Sequence, residues 1–133
     1  MKLYLNTDGG ARGNPGPAAT GTVLTDTKGR PIKTASRYLG NATNNQAEYQ
    51  ALLDGLKLAA KLKATELLVR LDSELIVKQL SGEYRVKDAG LKPLFAQVQK
   101  LISKFKRVRF QHIRRELNKK ADQLVNLTLD RHA

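Results

Sequence analysis

Polar and apolar positions alternate along four segments of the chain, and a fifth segment is a short apolar run; both patterns are typical of β-strands. The first three segments follow one another with only turn-forming residues between them, so they predict an antiparallel meander. The last two lie farther along the chain, among segments with helical periodicity. The predicted strands are Lys2 to Asp8, Ala18 to Asp26, Pro31 to Leu39, Glu66 to Leu71 and Lys106 to Ile113.

Apolar residues that recur at steps of three and four predict the helices. The clearest stripe begins at Tyr49, after a polar segment at 41–45 whose side chains suit an N-cap. Pro93 lies in the first turn of the second long helix, where a missing N–H is tolerated. The predicted helices run from Thr43 through Ala60, from Asp72-Ser73 to Leu80, from Ala89 to Phe105 and from about Leu117 to Asp130.

The order of these elements, β-β-β-α-β-α-α-β-α, implies an α/β fold in which helices cover a mixed sheet. A right-handed crossover through the first helix would place the fourth strand parallel to the first. We find no internal repeat and no linker. At 133 residues the chain is long enough for one core and too short for two, so we expect a single domain at 1–133.

Composition narrows the choice of partner. Twenty-four Lys and Arg residues stand against twelve Asp and Glu, and the formal charge of +12 favours a polyanion, nucleic acid above all. With four Tyr, three Phe and no Trp, contacts to phosphate and sugar are expected to outweigh base stacking. Without cysteine the chain forms neither a disulfide nor a thiolate metal site. No segment approaches the roughly 18 apolar residues of a membrane span, so we expect a cytoplasmic protein.

Four carboxylates are candidates for chemistry at one edge of the sheet. Asp8 follows the first strand and precedes a loop rich in Gly and Pro, although an Asp-Gly pair can also simply begin a turn. Asp72 follows the parallel fourth strand, so the two should lie at neighbouring strand ends, where α/β sheets bind ligands. Glu48 and Asp122 begin helices that can reach the same edge. Singly, each acid could instead cap a helix or face solvent.

Four carboxylates in one place repel one another, and the pKa values rise unless cations compensate. Mg²⁺ prefers oxygen ligands and keeps several waters, which leaves positions for phosphate oxygens. Two such ions, roughly 3.5 to 4 Å apart, can stabilise both the attacking and the leaving oxygen of a phosphoryl displacement. The pattern therefore favours a phosphodiester hydrolase with two Mg²⁺ ions, for which Mn²⁺ is a possible substitute.

In four stretches the chain resembles a known family, ribonuclease H of type 1. The matching stretches are Asp8-Gly-Gly-Ala-Arg-Gly-Asn-Pro-Gly-Pro, Thr43-Asn-Asn-Gln-Ala-Glu48, Leu71-Asp72-Ser73 and Asn118-Lys-Lys-Ala-Asp122. The resemblance implies a ribonuclease H-like fold with a five-stranded sheet in the order 3-2-1-4-5. It also implies endonucleolytic hydrolysis of the RNA strand of RNA/DNA hybrids, with water as nucleophile and 5′-phosphate and 3′-hydroxyl products. In the family, the acid matching Asp8 bridges both metals, those matching Glu48 and Asp72 hold one ion, and that matching Asp122 helps to hold the other.

The resemblance also implies a set of substrate contacts. Amide side chains both donate and accept hydrogen bonds, as the recognition of a 2′-hydroxyl requires. Turn formation and N-capping are alternative roles for the same residues, and we expect both roles together. The positions that match RNA contacts are Gly13, Asn14, Asn44, Asn45 and Gln46, and Thr43 matches a position that contacts a phosphate of the DNA strand.

Two loops depart from the family pattern. Only Ser81 to Lys87 stands where many members carry a basic protrusion, so affinity for the hybrid must come from dispersed Lys and Arg side chains. Many members also carry a mobile histidine in a longer loop before the last acid. Here Arg114-Arg115-Glu116-Leu117 fills a shortened link, and we hypothesise that Arg115 takes over part of the proton transfer or product release.

The sequence also predicts structural rather than functional roles for two single residues, His112 and Asp88. His112 shares the strand parity of Val108 and Phe110, which predicts a histidine near the core rather than a catalytic one. Asp88 stands where the family often has an asparagine that donates to a DNA phosphate. An ionised acid cannot donate, so Asp88 is expected only to cap the following helix.

Other functions fit part of the pattern. One alternative is a module that binds hybrids or double-stranded RNA with little or no catalysis, and another is a domain of a larger polymerase. A third is a nuclease that prefers double-stranded RNA or RNA–DNA junctions. The four acids favour an enzyme over a binding module, and the compact chain favours a self-contained one over part of a polymerase. We expect a monomer whose partner is the RNA/DNA hybrid and which has no membrane partner.

Overall fold

The computed structural model describes residues 1–133 and contains five strands, four α-helices and one 3₁₀ turn at Arg115–Leu117. The strands are β1 (Lys2–Ala11), β2 (Gly16–Thr25), β3 (Pro31–Ala42), β4 (Glu66–Leu71) and β5 (Arg107–His112). The helices are α1 (Asn44–Lys61), α2 (Glu74–Leu80), α3 (Lys92–Ile102) and α4 (Lys119–Arg131). Every predicted element is present.

The strands form one mixed sheet in the order β3-β2-β1-β4-β5, so the implied order is confirmed. The meander pairs antiparallel, while β4 is parallel to β1 and β5 is parallel to β4. The 18-residue helix α1 makes the crossover between β1 and β4 that parallel pairing needs. As a result, the carboxyl end of β4 lies beside the middle of β1, and both strands run in the same direction.

Helices lie on both faces of the sheet. The main core joins α1 to one face and includes Leu3, Leu5 and Leu56, each at most 1% exposed. On the other face α4 packs over β1, β2 and β3, with Ala19 and Val125 in a smaller buried cluster. Both helices therefore reach the sheet near β1, from opposite sides.

Two glycines bring these helices unusually close to the sheet. A β-carbon at Gly9 would collide with the backbone carbonyl of Ala47, and one at Gly21 would collide with the carbonyl oxygen of Ala121. The next residues along the two helices are Glu48 and Asp122. Gly21 is also the β2 partner of Asp8, so the close packing brings three acids together.

Several boundaries differ from the prediction. Strand β1 does not end at Asp8 but continues to Ala11, because its pairing with β2 extends as far as Ala11 and Ala18. The glycine-rich loop is therefore only residues 12–15. Helix α3 begins at Lys92 rather than Ala89, and α4 begins at Lys119 because the residues before it form the 3₁₀ turn.

The predictions for His112 and Asp88 are wrong in part. His112 belongs to β5 as expected, but it is exposed rather than near the core, since it is the last residue of an edge strand. Asp88 does not cap α3, whose N-cap is Leu91. Its carboxylate accepts from the Gly90 N–H at 2.7 Å and so holds the turn that precedes the helix. None of the helices is both long and apolar enough to cross a bilayer.

Candidate active site

A cavity of about 430 Å³ opens at the edge of the sheet between α1 and α4. All four acids predicted from the sequence line it, so the expected convergence is observed. The polar residues around it are Asp8, Asn44, Asn45, Glu48, Asp72, Ser73, Arg115, Asp122 and Asn126.

Each acid is placed by a different element. Asp8 lies inside β1, and Asp72 directly follows β4, whose Arg70 pairs with Asn6 of β1. Because the two strands are parallel and in this register, Asp8 and Asp72 stand level with each other. Glu48 reaches the same point from the second turn of α1, and Asp122 from the first turn of α4.

Three of these acids form a tight group. One carboxylate oxygen from each of Asp8, Glu48 and Asp72 lies within 4.8 Å of the other two. Asp122 stands beside the group rather than within it. Its Oδ1 lies 3.8 Å from Nη2 of Arg115, and its Oδ2 accepts from Nδ2 of Asn126 at 3.4 Å.

The electrostatics of the group follow from burial and like charge. Burial, together with the negative charges of Asp72 and Asp122, raises the pKa of Asp8 to about 7. Burial also raises the pKa of Glu48 well above its usual range, and the charges of Asp8 and Asp72 add to this effect. Without a cation, burial and like charge therefore favour the protonated forms of Asp8 and Glu48.

The donor set fits a hard divalent cation. Oε2 of Glu48 is buried and has no hydrogen-bond partner, which is costly for a carboxylate oxygen. A cation between Glu48, Asp8 and Asp72 would satisfy that oxygen and relieve the repulsion at once. Carboxylate oxygens without nitrogen or sulfur ligands favour Mg²⁺ or Mn²⁺ over softer metals.

Two of the predicted substrate-contact residues line the cavity, and two more lie next to them. Asn44 and Asn45 line it. Oδ1 of Asn14 accepts from the Asn44 N–H at 3.0 Å, and Oδ1 of Asn44 accepts from the Ala11 N–H at 2.8 Å. Gly13 adopts a φ of 98° in the exposed turn beside them, so these residues connect the loop to the start of α1.

Thr43 and Gln46 form the capping box of α1 and do not line the cavity. Oγ1 of Thr43 accepts from the Gln46 N–H at 3.1 Å, and Oε1 of Gln46 accepts from the Thr43 N–H at 2.9 Å. The expected capping role of both residues is therefore present. Gln46 also lines a separate groove next to Gly90 and Pro93.

Comparisons with known proteins agree with this geometry. A family model described as "Reverse transcriptase-like" matches residues 6–128. The crystal structure of RNase H1 from the halophilic archaeon Halobacterium salinarum superposes with a TM-score of 0.95 at 38% identity, covering 98% of both chains. LC11-RNase H1, crystallised with an RNA/DNA hybrid, superposes with a TM-score of 0.92 at 46% identity, again over 98% of both chains.

The chain belongs to the ribonuclease H1 family. Among curated relatives, a bifunctional protein of Mycobacterium tuberculosis is 44% identical over 98% of this chain, which spans 36% of that protein's length. The ribonuclease HI of Halobacterium salinarum is 40% identical over 97% of this chain, which spans 65% of its length. The acidic group is of the metal-binding type that is typical of ribonuclease H.

Sequence reasoning missed the part that Asn118 plays in this ribonuclease H1 site. An asparagine immediately before a helix is usually an N-cap, but the Asn118 side chain makes no capping hydrogen bond. Instead it is 1% exposed, and its Nδ2 donates to the carbonyl of Thr7 at 2.8 Å. The one available signal was its place in the Asn118-Lys-Lys-Ala-Asp122 stretch.

Proposed function

We propose that this chain hydrolyses the RNA strand of RNA/DNA hybrids endonucleolytically, giving 5′-phosphate and 3′-hydroxyl ends. The observation that carries the proposal is the convergence of Asp8, Glu48 and Asp72 within 4.8 Å, with Asp122 on the wall of the same cavity. Relatives of the same family that match along the whole of this chain support it, one of them crystallised with an RNA/DNA hybrid.

The proposed cofactor is a pair of Mg²⁺ ions, with Mn²⁺ as a possible substitute. Asp8 belongs to the tight group with Glu48 and Asp72, and the charge of Asp122 also acts on it. This supports Asp8 as a ligand that both ions would share, with Glu48 and Asp72 helping to hold one ion and Asp122 the other. Ions so bound would stabilise the attacking water and the leaving oxygen.

The contribution of the protein to the reaction is the arrangement of charge and the exclusion of solvent. Asp8 and Glu48 are 7% and 8% exposed, so their carboxylates act in a poorly hydrated environment where electrostatic interactions are strong. The strands and helices that hold them pack backbone to backbone at Gly9 and Gly21. The acids are thus held in place before substrate arrives.

We propose that the RNA strand is read by side-chain amide donors. Asn14 and Asn44 both use their oxygens inside the protein, so their NH₂ groups remain free to donate. Asn45 lies beside them on the cavity wall, and the exposed backbone of Gly13 and the amide of Gln46 extend the set. Hydroxyl groups on one strand only would accept these bonds and so mark that strand as RNA.

Thr43 is the proposed contact to a phosphate of the DNA strand. Its hydroxyl oxygen accepts the Gln46 N–H, so the hydroxyl hydrogen remains available to a phosphate oxygen. Capping and phosphate binding are therefore compatible in one side chain.

Arg115 is proposed to assist product release. Its guanidinium lines the cavity and lies 3.8 Å from Asp122. Because a guanidinium stays protonated at all relevant pH values, it is unsuited to proton transfer but can draw the departing phosphate away from the carboxylates. Of the two roles hypothesised for Arg115, proton transfer and product release, this favours product release.

We further propose that residues 1–133 act as one ribonuclease H domain, as a monomer and in the cytoplasm. The four proposed metal ligands, Asn44 and Asn45 line one cavity within a single copy of the chain. Light scattering after size exclusion, with and without hybrid, tests the monomer directly.

Cleavage of end-labelled substrates tests the proposed function. The chain is incubated with RNA/DNA hybrid, double-stranded RNA, an RNA–DNA junction and double-stranded DNA, in Mg²⁺, Mn²⁺ or EDTA. We expect cleavage of the RNA strand of the hybrid, dependence on a divalent ion, and no cleavage by Asp72→Asn. Preferential cleavage of double-stranded RNA or junctions would support the alternative nucleases, and binding without cleavage would support the binding module.

A further inference from the structure

Three side chains form a hydrogen-bonded chain that leads from Arg70 on β4 to the candidate active site. Nε of Arg70 donates to Oδ1 of Asn6 at 2.8 Å, and Nδ2 of Asn6 donates to Oδ1 of Asn118 at 3.2 Å. Nδ2 of Asn118 donates to the carbonyl of Thr7 at 2.8 Å and reaches Oδ2 of Asp72 at 3.5 Å. The chain thus joins β4, β1 and the residue before α4 to one of the acids.

Arg70 sets the direction of every bond in this chain. A guanidinium donates hydrogen bonds and accepts none, so Asn6 must turn its oxygen toward Arg70 and its NH₂ group toward Asn118. Asn118 must then turn its oxygen toward Asn6 and its NH₂ group toward Asp72. A reversed Asn118 amide would place its oxygen against a carbonyl and a carboxylate, which is repulsive.

The surroundings make the chain rigid. Asn118 is 1% exposed, and a buried amide is costly unless its hydrogen bonds are made. Arg70 and Asn6 are direct partners across the parallel β1–β4 pair. The guanidinium of Arg70 also lies over the ring of Tyr4, 4.7 Å from its centre, in a cation–π contact.

We propose that Arg70 and Asn6 are positioning residues, which direct the Asn118 amide toward Asp72 and thereby orient the Asp72 carboxylate for a divalent ion. Neither residue lines the cavity, so neither contacts substrate there. Partners that hydrogen-bond to a metal-binding carboxylate commonly fix its orientation. The inference rests on the proposed role of Asp72 as a metal ligand.

Asn118 also positions Asp122, the acid on the other side of the site. The carbonyl of Asn118 accepts from the N–H of Asp122 at 3.1 Å. A fixed Asn118 therefore positions the first turn of α4, and with it Asp122, relative to Asp72. Arg70 thus influences Asp72 and Asp122 although its side chain forms no hydrogen bond or ion pair with either.

The test compares Arg70→Met with Arg109→Met. Arg109 pairs with Leu68 and so lies on the same face of the sheet as Arg70, but its side chain makes no hydrogen bond or ion pair. Each substitution removes one charge from that face, and only the first breaks the chain. In the metal-free protein, the NMR signals of the Asn118 side-chain NH₂ should shift and exchange faster with solvent in Arg70→Met and stay unchanged in Arg109→Met.

A Mg²⁺ titration followed by the backbone signals of Asp8 and Asp72 gives the second readout. We expect Arg70→Met to weaken Mg²⁺ binding by about 10-fold, to lower kcat at limiting Mg²⁺, and to leave KM for the hybrid unchanged. Arg70→Lys should restore part of the affinity, because an ammonium group also only donates.

Asn6→Asp separates positioning from simple stabilisation. The new carboxylate still accepts from Arg70, so the fold keeps that contact. It can no longer donate to Asn118, so it favours the reversed amide, whose oxygen faces Asp72, and should weaken Mg²⁺ binding although the contact with Arg70 is kept.

Two results would overturn this inference while leaving the proposed function intact. One is that the Asn118 signals and the Mg²⁺ affinity stay unchanged in Arg70→Met. The other is that Arg109→Met loses as much Mg²⁺ affinity as Arg70→Met. If the Asp72 signals of the wild-type protein do not respond to Mg²⁺, the proposed metal site fails as well, and the inference fails with it.

Discussion

Carboxylate oxygens of Glu48 and Asp8 lie within 4.8 Å of each other inside the candidate active site, and both residues are buried. Burial and the negative charge of Asp72 raise the pKa of both acids, which favours a proton on this pair. A divalent ion can replace that proton. Protonation, metal binding and stability are therefore coupled at this pair.

The first prediction is that the stability of the metal-free protein falls as the pH rises. The pKa of Asp8 is raised in the folded protein from 3.8 to about 7, so its contribution to stability is complete below pH 4 and is lost as the pH rises through 7. For one group, a shift of this size corresponds to roughly 4 kcal/mol at most. The effect of Glu48 has the same sign. In EDTA, Tm should therefore fall between pH 5 and pH 8.

Mg²⁺ should reverse this loss, since it binds the ionised carboxylates of the folded state. Calorimetry at pH 5 and pH 8, with EDTA or with Mg²⁺, should show a larger rise in Tm at pH 8. An equal rise at both pH values would contradict the coupling. Mg²⁺ replaced by K⁺ at equal ionic strength serves as the control.

The second prediction is that Asp8→Asn loses activity and gains stability. The amide removes one of several carboxylate charges that repel one another, so the free energy of unfolding in EDTA at pH 8 should rise by roughly 1 to 4 kcal/mol. The same change removes the central ligand, and kcat should fall by at least about 100-fold, while hybrid binding is largely kept.

Asp54→Asn is the matched control for this substitution. Asp54 pairs with Arg37 at 2.9 Å and lies outside the cavity. Its loss should lower stability slightly and leave kcat unchanged. Retention of cleavage by Asp8→Asn would refute its assignment as a ligand.

The third prediction compares two adjacent glycines. In Gly9→Ala the new methyl group would meet the backbone of Ala47 and push α1 away from β1, carrying Glu48 from Asp8. We expect a loss of about 3 kcal/mol or more in the free energy of unfolding. In Gly10→Ala the methyl group would meet only Cγ1 of Val125 at 3.6 Å, an ordinary contact, and stability should change little. Urea denaturation measures both, and similar losses would contradict the close packing at Gly9.

Periodicity was enough to predict the elements because each buries one side. Alternation in the strands and the stripe that starts at Tyr49 both record which side faces the core. The end of β1 was placed too early, since Gly9 and Gly10 have no side chains to continue the alternation while their backbone continues to pair with β2. Glycine in a strand therefore gives a false signal of a strand end.

The convergence of the four acids was predictable for a similar reason. Asp72 follows the end of a strand, Glu48 and Asp122 lie near the starts of helices, and Asp8 lies in the second half of β1. The parallel topology collects these positions at one edge of the sheet. The Arg70–Asn6–Asn118 chain was not predictable, because 112 residues separate Asn6 from Asn118. Hydrogen bonds over such distances depend on packing geometry and leave no periodic mark in a sequence.

The fourth prediction concerns recognition of RNA. In Asn44→Asp the carboxylate can still accept from the Ala11 N–H, so the local structure is kept. The free NH₂ donor is lost, and KM for the hybrid should rise by about 10-fold, which corresponds to one hydrogen bond to an uncharged group. Steady-state kinetics on the hybrid test this. Asn41→Asp adds the same charge nearby, at a residue outside the cavity, and an equal rise in KM there would show that charge alone is responsible.

The fifth prediction separates chemistry from product release at Arg115. The side chain is 78% exposed and lies 3.8 Å from Asp122, so its charge can act on a departing phosphate without holding the fold. In Arg115→Ala we expect steady-state kcat to fall by about 10-fold while the first turnover stays fast, which appears as a larger burst in rapid-quench kinetics. Arg115→Lys should keep most of kcat, because it keeps the charge. Arg114→Ala removes the neighbouring exposed charge, and the role is refuted if Arg115→Ala leaves kcat unchanged or if Arg114→Ala lowers it equally.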